Sequence, residues 1–321
     1  MIHRRQLLVP ALAAALAGPA AAQPRYRPPR TRHGHPELDG TWTNGTYTEF
    51  ERPRELKTLV VPPDEARAWE ARLAPTGGVN VPNDPVGQAQ SEFPEVGTGL
   101  MRVRGEIRSS VIVDPEDGQL PYSDEGMARL GIRKHYRRWS YDHVEQRPEN
   151  ERCLTAGNAG APLIAEQDAN LIQIVQTRDE IALVAERYHD VRIVRLGPDA
   201  PTAKPGWFGH SQGRWEGDTL VVVTRGFRPG VTRRTDDVFL SDAAVVVERF
   251  TRTGPAEIHY AFTVEDPALY SRPWRGEAVL TPAPGRIFEY ACHEGNYALT
   301  SILAAARQGN QPSSTPPKPA P

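Results

Sequence analysis

The stretch Glu257-Ile258-His259-Tyr260-Ala261-Phe262-Thr263-Val264-Glu265-Asp266 decides the fold. Ile258, Tyr260, Phe262 and Val264 fall on one side of an extended chain, and His259, Ala261, Thr263 and Glu265 on the other. A period of two marks a half-buried strand, because successive side chains leave a pleated backbone on opposite faces. Thr253-Gly254-Pro255-Ala256 reads as a turn, and the apolar run 243–253 before it completes a hairpin. Working outward, strands are expected at 171–177, 181–186, 189–196, 212–216 and 219–225, then at 275–281 and 286–291. Glu216-Gly217-Asp218 supplies another tight turn. No helical crossover pattern interrupts this series, so it reads as an antiparallel meander. A long meander removes its exposed edges by closing into a barrel or stacking as a sandwich.

The expected architecture is therefore mainly β. An antiparallel barrel or sandwich occupies 151–296, and an irregular region, 37–150, wraps it and adds one or two strands. Pro62-Pro63-Asp64-Glu65 opens a helix through Leu73, and Ser123-Asp124-Glu125 caps one over 126–136. The Pro- and Gly-rich stretch 74–100 reads as a long loop. Residues 23–36 form an extended leader that orders only if it docks. Residues 297–321 read as a short helix followed by a Pro-rich tail. With 27 Gly and 31 Pro in 321 residues, a helical bundle is disfavoured. The 38 basic and 40 acidic residues nearly balance, which gives no electrostatic case for nucleic acid as a partner.

Residues 1–22 read as a secretory signal peptide: Arg4-Arg5, an apolar run over Leu7–Ala17, and small residues at Ala20-Ala21-Ala22. The paired arginines leave both a twin-arginine and a general secretory route open. No later apolar run is long enough to span a membrane, so a periplasmic or secreted location is expected. The two cysteines, Cys153 and Cys292, then lie in an oxidising compartment. A disulfide between them would close a loop of about 140 residues and stabilise the fold by roughly 4–5 kcal/mol. The alternative is two buried free thiols.

Several motifs resemble a family of exported bacterial proteins of unknown activity. They are Ser109–Pro121 (SSVIVDPEDGQLP), Glu151-Arg152-Cys153, His189-Asp190-x-Arg192-Ile193, Gly209–Val222 (GHSQGRWEGDTLVV), Val247–Phe250 (VERF), Val264–Pro267, Arg272-Pro273-Trp274 and Ala291–Asn296 (ACHEGN). The resemblance implies an extracytoplasmic location and carries no activity with it. Gly40-Thr41-Trp42 at the start of a strand, with the later meander, also resembles lipocalin-like barrels.

Three clusters could carry chemistry. Trp207-Phe208-Gly209-His210-Ser211-Gln212-Gly213-Arg214-Trp215-Glu216 gathers aromatic, imidazole and guanidinium groups, and His210 suits acid–base work near neutral pH. The structural alternative is a hairpin entry whose polar groups bond local backbone. Gly209–Gly213 also matches G-x-S-x-G, but a hairpin is not the strand–turn–helix that a nucleophile elbow needs. Cys292-His293-Glu294-Gly295-Asn296 would be stapled beside Glu151 and Arg152 if the disulfide forms. Tyr188-His189-Asp190-x-Arg192 is the third, with His189 and Asp190 on opposite faces if extended. His189, His210, His293 and Glu294 lack metal-ligand spacing, and so no metal or other cofactor is expected.

Three functions are consistent with these residues. The first is an exported barrel that binds an apolar or aromatic small molecule, with Tyr188, Trp207, Phe208 and Trp215 as walls and His210, Arg214 and His293 as polar contacts. The second is a cofactor-free isomerase, hydratase or lyase in which His210 moves a proton beside Glu294 or Glu248. The third is an envelope interaction protein without a pocket.

Overall fold

The computed structural model describes residues 26–73, 99–164, 170–198, 204–228, 232–233, 238–283 and 285–307. Its strands are β1 (Gly40–Thr43), β2 (Arg102–Val103), β3 (Glu106–Ile107), β4 (Ile112–Asp114), β5 (Leu171–Gln176), β6 (Glu180–Ala185) and β7 (Val191–Leu196). They continue with β8 (His210–Glu216), β9 (Thr219–Arg225), β10 (Thr232–Arg233), β11 (Val238–Phe239), β12 (Val245–Gly254), β13 (Glu257–Glu265) and β14 (Trp274–Pro282). Hydrogen bonding runs in the order β1-β5-β6-β7-β8-β9-β12-β13-β14, and β1 then pairs with β14. The result is a closed barrel of nine strands. The meander expected from alternation is present as this barrel, and not as a sandwich.

Closure depends on the N-terminal part of the chain. Trp42 and Thr43 pair with Pro282 and Thr281, while Gly40–Thr43 pairs along Leu171–Ile174. β4 takes the stretch of the β14 edge that β1 does not reach, opposite Arg275 and Gly276. The barrel therefore begins at Gly40 and ends at Pro282, and its span differs from 151–296. Residues 286–291 do not form the expected strand. With β1 already on the edge of β14, no edge is left for them. Their backbone is met by side chains instead: the Phe288 amide donates to Glu186 Oε1 (3.1 Å) and the Tyr290 amide to His189 Nε2 (3.0 Å).

A second correction concerns direction. β7 and β8 run parallel, with Val194 opposite Ser211 and Leu196 opposite Gly213. Residues 197–209 between them have about the dozen-residue length that a parallel connection requires. The segment around Tyr188 also departs from a strand. Arg187–His189 is a 3-10 turn in which Tyr188 and His189 both have positive φ, so β7 begins only at Val191.

The inward faces follow the two-residue period. Ile258, Tyr260, Phe262 and Val264 are all 2% exposed or less. They meet Phe250, Trp274, Leu280, Trp42, Ile172, Ile174, Ile181 and Leu183 in one core. The Phe262 ring lies over Gly276, where a β-carbon would come within 2.3 Å of it. Side chains thus fill the barrel, as expected for a small one.

Chain segments cover both ends. At one, the end of the leader and the residues after it dock: His35 stacks on Trp215 (5.2 Å, 7°), Arg252 Nη1 donates to the Glu37 carbonyl (2.9 Å), and Leu38 is fully buried. At the other, the loop after Cys153 sits over the mouth. Ala159, Ala161 and Leu163 are at most 1% exposed, and the Leu163 amide donates to the Tyr260 hydroxyl (2.8 Å). Helices Pro63–Leu73, Asp124–Trp139 and Ala298–Arg307 lie at or near their expected positions.

Candidate functional site

Inside the barrel, a polar centre crosses the apolar core. Arg192 on β7 and Glu248 on β12 face inward, 2% and 0% exposed. Arg192 donates through Nη1 and Nη2 to the two carboxylate oxygens of Glu248 (2.5 and 2.9 Å). Tyr260 donates to Glu248 Oε1 (2.8 Å), while Thr224 lies 3.4 Å from Arg192 and 2.8 Å from Ser211 Oγ. Burial and the Glu248 charge push the Tyr260 phenol well above its ordinary range. Every strong acceptor on Glu248 is thus directed at a permanent internal donor, and the carboxylate is occupied as a brace between strands. Asp190 serves similarly at the mouth. Its Oδ2 accepts from Thr155 Oγ1 (2.7 Å) and from the amides of Gly157 (3.1 Å) and Asn158 (3.2 Å).

The residues expected to carry acid–base chemistry are not brought together. His210 lies on the outer face of β8, and its Nε2 is 2.8 Å from the Lys204 carbonyl. Glu248 is on the other side of the barrel wall, and Glu294 lies on the chain that follows Cys292. Ser211 of the G-x-S-x-G match points inward and is 7% exposed, bonded to Thr224. The expected aromatic walls are also dispersed. Trp207 is 40% exposed beneath the Arg228 guanidinium (4.5 Å), and half-buried Phe208 follows it. Arg214 faces outward and pairs with Glu216, while Trp215 stacks on His35 at the opposite end of β8.

The third grouping forms around the cysteines. Cys153 and Cys292 are joined by a disulfide, with sulfurs 2.09 Å apart. Beside it lies a cleft of about 300 Å³ lined by Asn150 and Glu151, by Cys292, Glu294, Gly295 and Asn296, and by Ala298, Leu299 and Ile302 of the C-terminal helix. Asn296 Nδ2 donates to the Glu151 carbonyl (3.3 Å) and to Cys153 Sγ (3.0 Å). Arg147 donates to both oxygens of Glu151 (2.9 Å each). Tyr188 stands behind this wall. Its hydroxyl donates to the Asn150 carbonyl (2.9 Å), and its ring lies 4.8 Å from that of Tyr290. Burial, reinforced by Tyr290, pushes the Tyr188 phenol up to about 12. His293 is exposed next to Glu294 and does not line the cleft.

Of the expected contacts, Glu294 lines this cleft and Tyr188 supports its wall. Asn150 and Ile302 were not singled out from sequence, and Arg192 and Asn296 were named within their clusters but given no role of their own. For Arg192 a signal existed: it shares parity with Val194 and Leu196, and Glu248 shares parity with Val246 and Phe250. Opposite charges on two apolar faces call for each other, since neither is stable alone in a core. For the cleft the signal was the cysteine pair, since a Cys153–Cys292 bond was expected to bring Cys292–Asn296 beside Glu151; the part played by Leu299 and Ile302 had no local signal.

Among the described residues, no group of three or more His, Cys, Asp and Glu side chains is arranged to hold a metal ion, and no helix is long and apolar enough to cross a membrane. Comparisons with protein families, curated proteins and solved structures return no match.

Proposed function

We propose that this chain is an exported β-barrel protein that binds a small molecule in the cleft beside the Cys153–Cys292 disulfide, and not in the barrel interior. The cleft carries this reading. Its volume of about 300 Å³ falls at the lower end of the range for small-molecule sites. It combines an apolar side, Leu299 and Ile302, with a few polar groups, the composition such sites use. Residues 150–151 and 292–302 form its walls, and the disulfide joins these remote stretches covalently. A site held in this way is preorganised and loses less entropy on binding. The disulfide also supports an oxidising, extracytoplasmic location, in keeping with residues 1–22.

The barrel interior supports binding less, because its aromatic residues and the Arg192–Glu248 pair fill it. The acid–base reading has less support too, since His210 bonds a backbone carbonyl on the outer wall. The test is native mass spectrometry of the oxidised protein against a small fragment set, beside Ile302→Trp, whose indole would fill the cleft. Adducts on the wild type that vanish in Ile302→Trp are expected. Adducts that persist in the variant would place binding elsewhere. Absence of any adduct would favour an interaction protein without a pocket.

A further inference from the structure

We infer that the Cys153–Cys292 disulfide is a thiol–disulfide exchange site: a small thiol entering the cleft attacks Cys292 Sγ and displaces Cys153 as a thiolate. Exchange requires only that the cleft admit a thiol, whether or not it retains a ligand, so the inference goes beyond the binding reading and does not depend on it. The two sulfurs are placed differently. Cys292 is half-buried and lines the cleft, whereas Cys153 is 7% exposed and is not among the lining residues. A thiolate attacks one sulfur of a disulfide, and access helps decide which. The cleft therefore directs attack to Cys292 and makes Cys153 the leaving sulfur.

The leaving sulfur has a donor in place. Asn296 Nδ2 donates to Cys153 Sγ (3.0 Å). A neutral sulfur is a weak acceptor, and a bond to an ionised group is stronger, so this contact strengthens as the sulfur takes up charge. A donor to the charged form favours it, and a thiol that forms its thiolate readily leaves faster. The same Asn296 nitrogen also donates to the Glu151 carbonyl (3.3 Å), which fixes the amide in position. On the side of attack, Ala298 and Leu299 open the helix Ala298–Arg307 and line the cleft. First-turn amides have no intrahelical partner and form the positive end of the helix dipole, which favours an incoming thiolate. Glu151 and Glu294 also line the cleft, and Arg147 compensates the first of them. Their charge favours a neutral thiol over an anionic one.

The backbone supplies a separate observation. Cys153 has φ 54°, in the left-handed region that is unfavourable for a residue with a β-carbon. Among the described residues, four non-glycine positions have positive φ, and three of them belong to this neighbourhood. They are Cys153, Tyr188, whose hydroxyl donates to the Asn150 carbonyl, and His189, whose Nε2 accepts the Tyr290 amide. Such conformations persist only where the surroundings fix them, and they cluster at functional sites. Opening the disulfide removes one of the constraints on Cys153.

The exchange balances in two steps. A thiolate RS⁻ forms an S–S bond to Cys292 as the bond to Cys153 breaks, and the electron pair leaves on Cys153 Sγ. A second thiolate then attacks the R-side sulfur, which releases the small-molecule disulfide and Cys292 as a thiolate. Two thiols together lose two electrons, the protein disulfide gains them, and the two thiol protons pass to the cysteines.

The test treats the full oxidised chain, without denaturant, with the neutral thiol 2-mercaptoethanol. Samples are acid-quenched at early times, alkylated with N-ethylmaleimide and digested for mass spectrometry. The mercaptoethanol adduct should appear on Cys292 and the maleimide on Cys153, at a rate first order in thiol. A hydrogen bond to a charged group is worth about one to two powers of ten in an equilibrium. With that charge about half developed in the transition state, Asn296→Leu should slow native exchange by about three- to tenfold. In urea the variant and the wild type should exchange at equal rates. Reduction that needs urea or is independent of thiol concentration would make the disulfide a structural bond only and overturn the inference. An adduct on Cys153, on both cysteines alike, or absent from Cys292 at every time would overturn the direction of attack. An unchanged or faster native rate in Asn296→Leu would overturn the role of its amide.

Discussion

Replacing Glu248 by Gln tests whether the barrel is braced from inside. The substitution keeps shape and removes charge. Arg192 then remains as a guanidinium 2% exposed, with an amide where it had a carboxylate. One of the two Glu248 oxygens becomes an NH₂, which in either position faces an Arg192 N–H and at Oε1 faces the Tyr260 hydroxyl as well. Leaving a buried charge without its partner costs about 3–5 kcal/mol. At roughly 2–4 °C per kcal/mol for a domain of this class, the melting temperature should fall by about 6–20 °C.

The double variant Arg192→Met/Glu248→Leu separates this cost from simple loss of contacts. It removes both charges; the leucine at 248 lies opposite Val222 and Phe262, and the methionine at 192 opposite Leu183, on the neighbouring strands. The main loss left is the acceptor of the Tyr260 hydroxyl, about 1–3 kcal/mol. The double variant should therefore be more stable than Glu248→Gln. Urea unfolding of the oxidised protein, followed by tryptophan fluorescence and circular dichroism, measures both. A loss below about 1 kcal/mol for Glu248→Gln, or a double variant as unstable as Arg192→Met and Glu248→Leu summed, would refute a buried and coupled pair.

Three other outcomes are expected. The Cys153→Ala/Cys292→Ala variant should lose about 4–5 kcal/mol in urea unfolding, since the disulfide closes a loop with a sequence separation of 139; a loss under about 1 kcal/mol would contradict this. Gly126→Ala should destabilise by about 1–3 kcal/mol although alanine favours helix, because its β-carbon would stand 1.9 Å from the Leu269 carbonyl oxygen; an unchanged or raised urea midpoint would disprove that contact. Tyr188 is an acid whose folded value is raised, so its contribution is complete below pH 10 and is lost as pH rises from 10 towards about 12. Tyr188→Phe should show a shallower loss of stability across that window, and equal slopes in urea midpoint against pH would count against the buried phenol.

Strand parity was legible in the sequence further than the chemistry read from it. In His210–Glu216, the residues at 211, 213 and 215 share the inward face, and His210, Gln212, Arg214 and Glu216 share the outward one. The same alternation that identified β13 thus set His210 outside the barrel, facing away from Glu248. Local pattern fixes which way a side chain points. It does not show which strands become neighbours, so neither closure through Gly40–Thr43 nor the parallel pairing of β7 with β8 could be read from it. The 286–291 run shows the converse: it alternates well but forms no strand, because pairing needs an open edge and β1 had taken it. The cleft lies furthest from local pattern. Asn150 and Ile302 line one cleft because a covalent bond joins Cys153 to Cys292, and no pattern within either stretch announces that pairing.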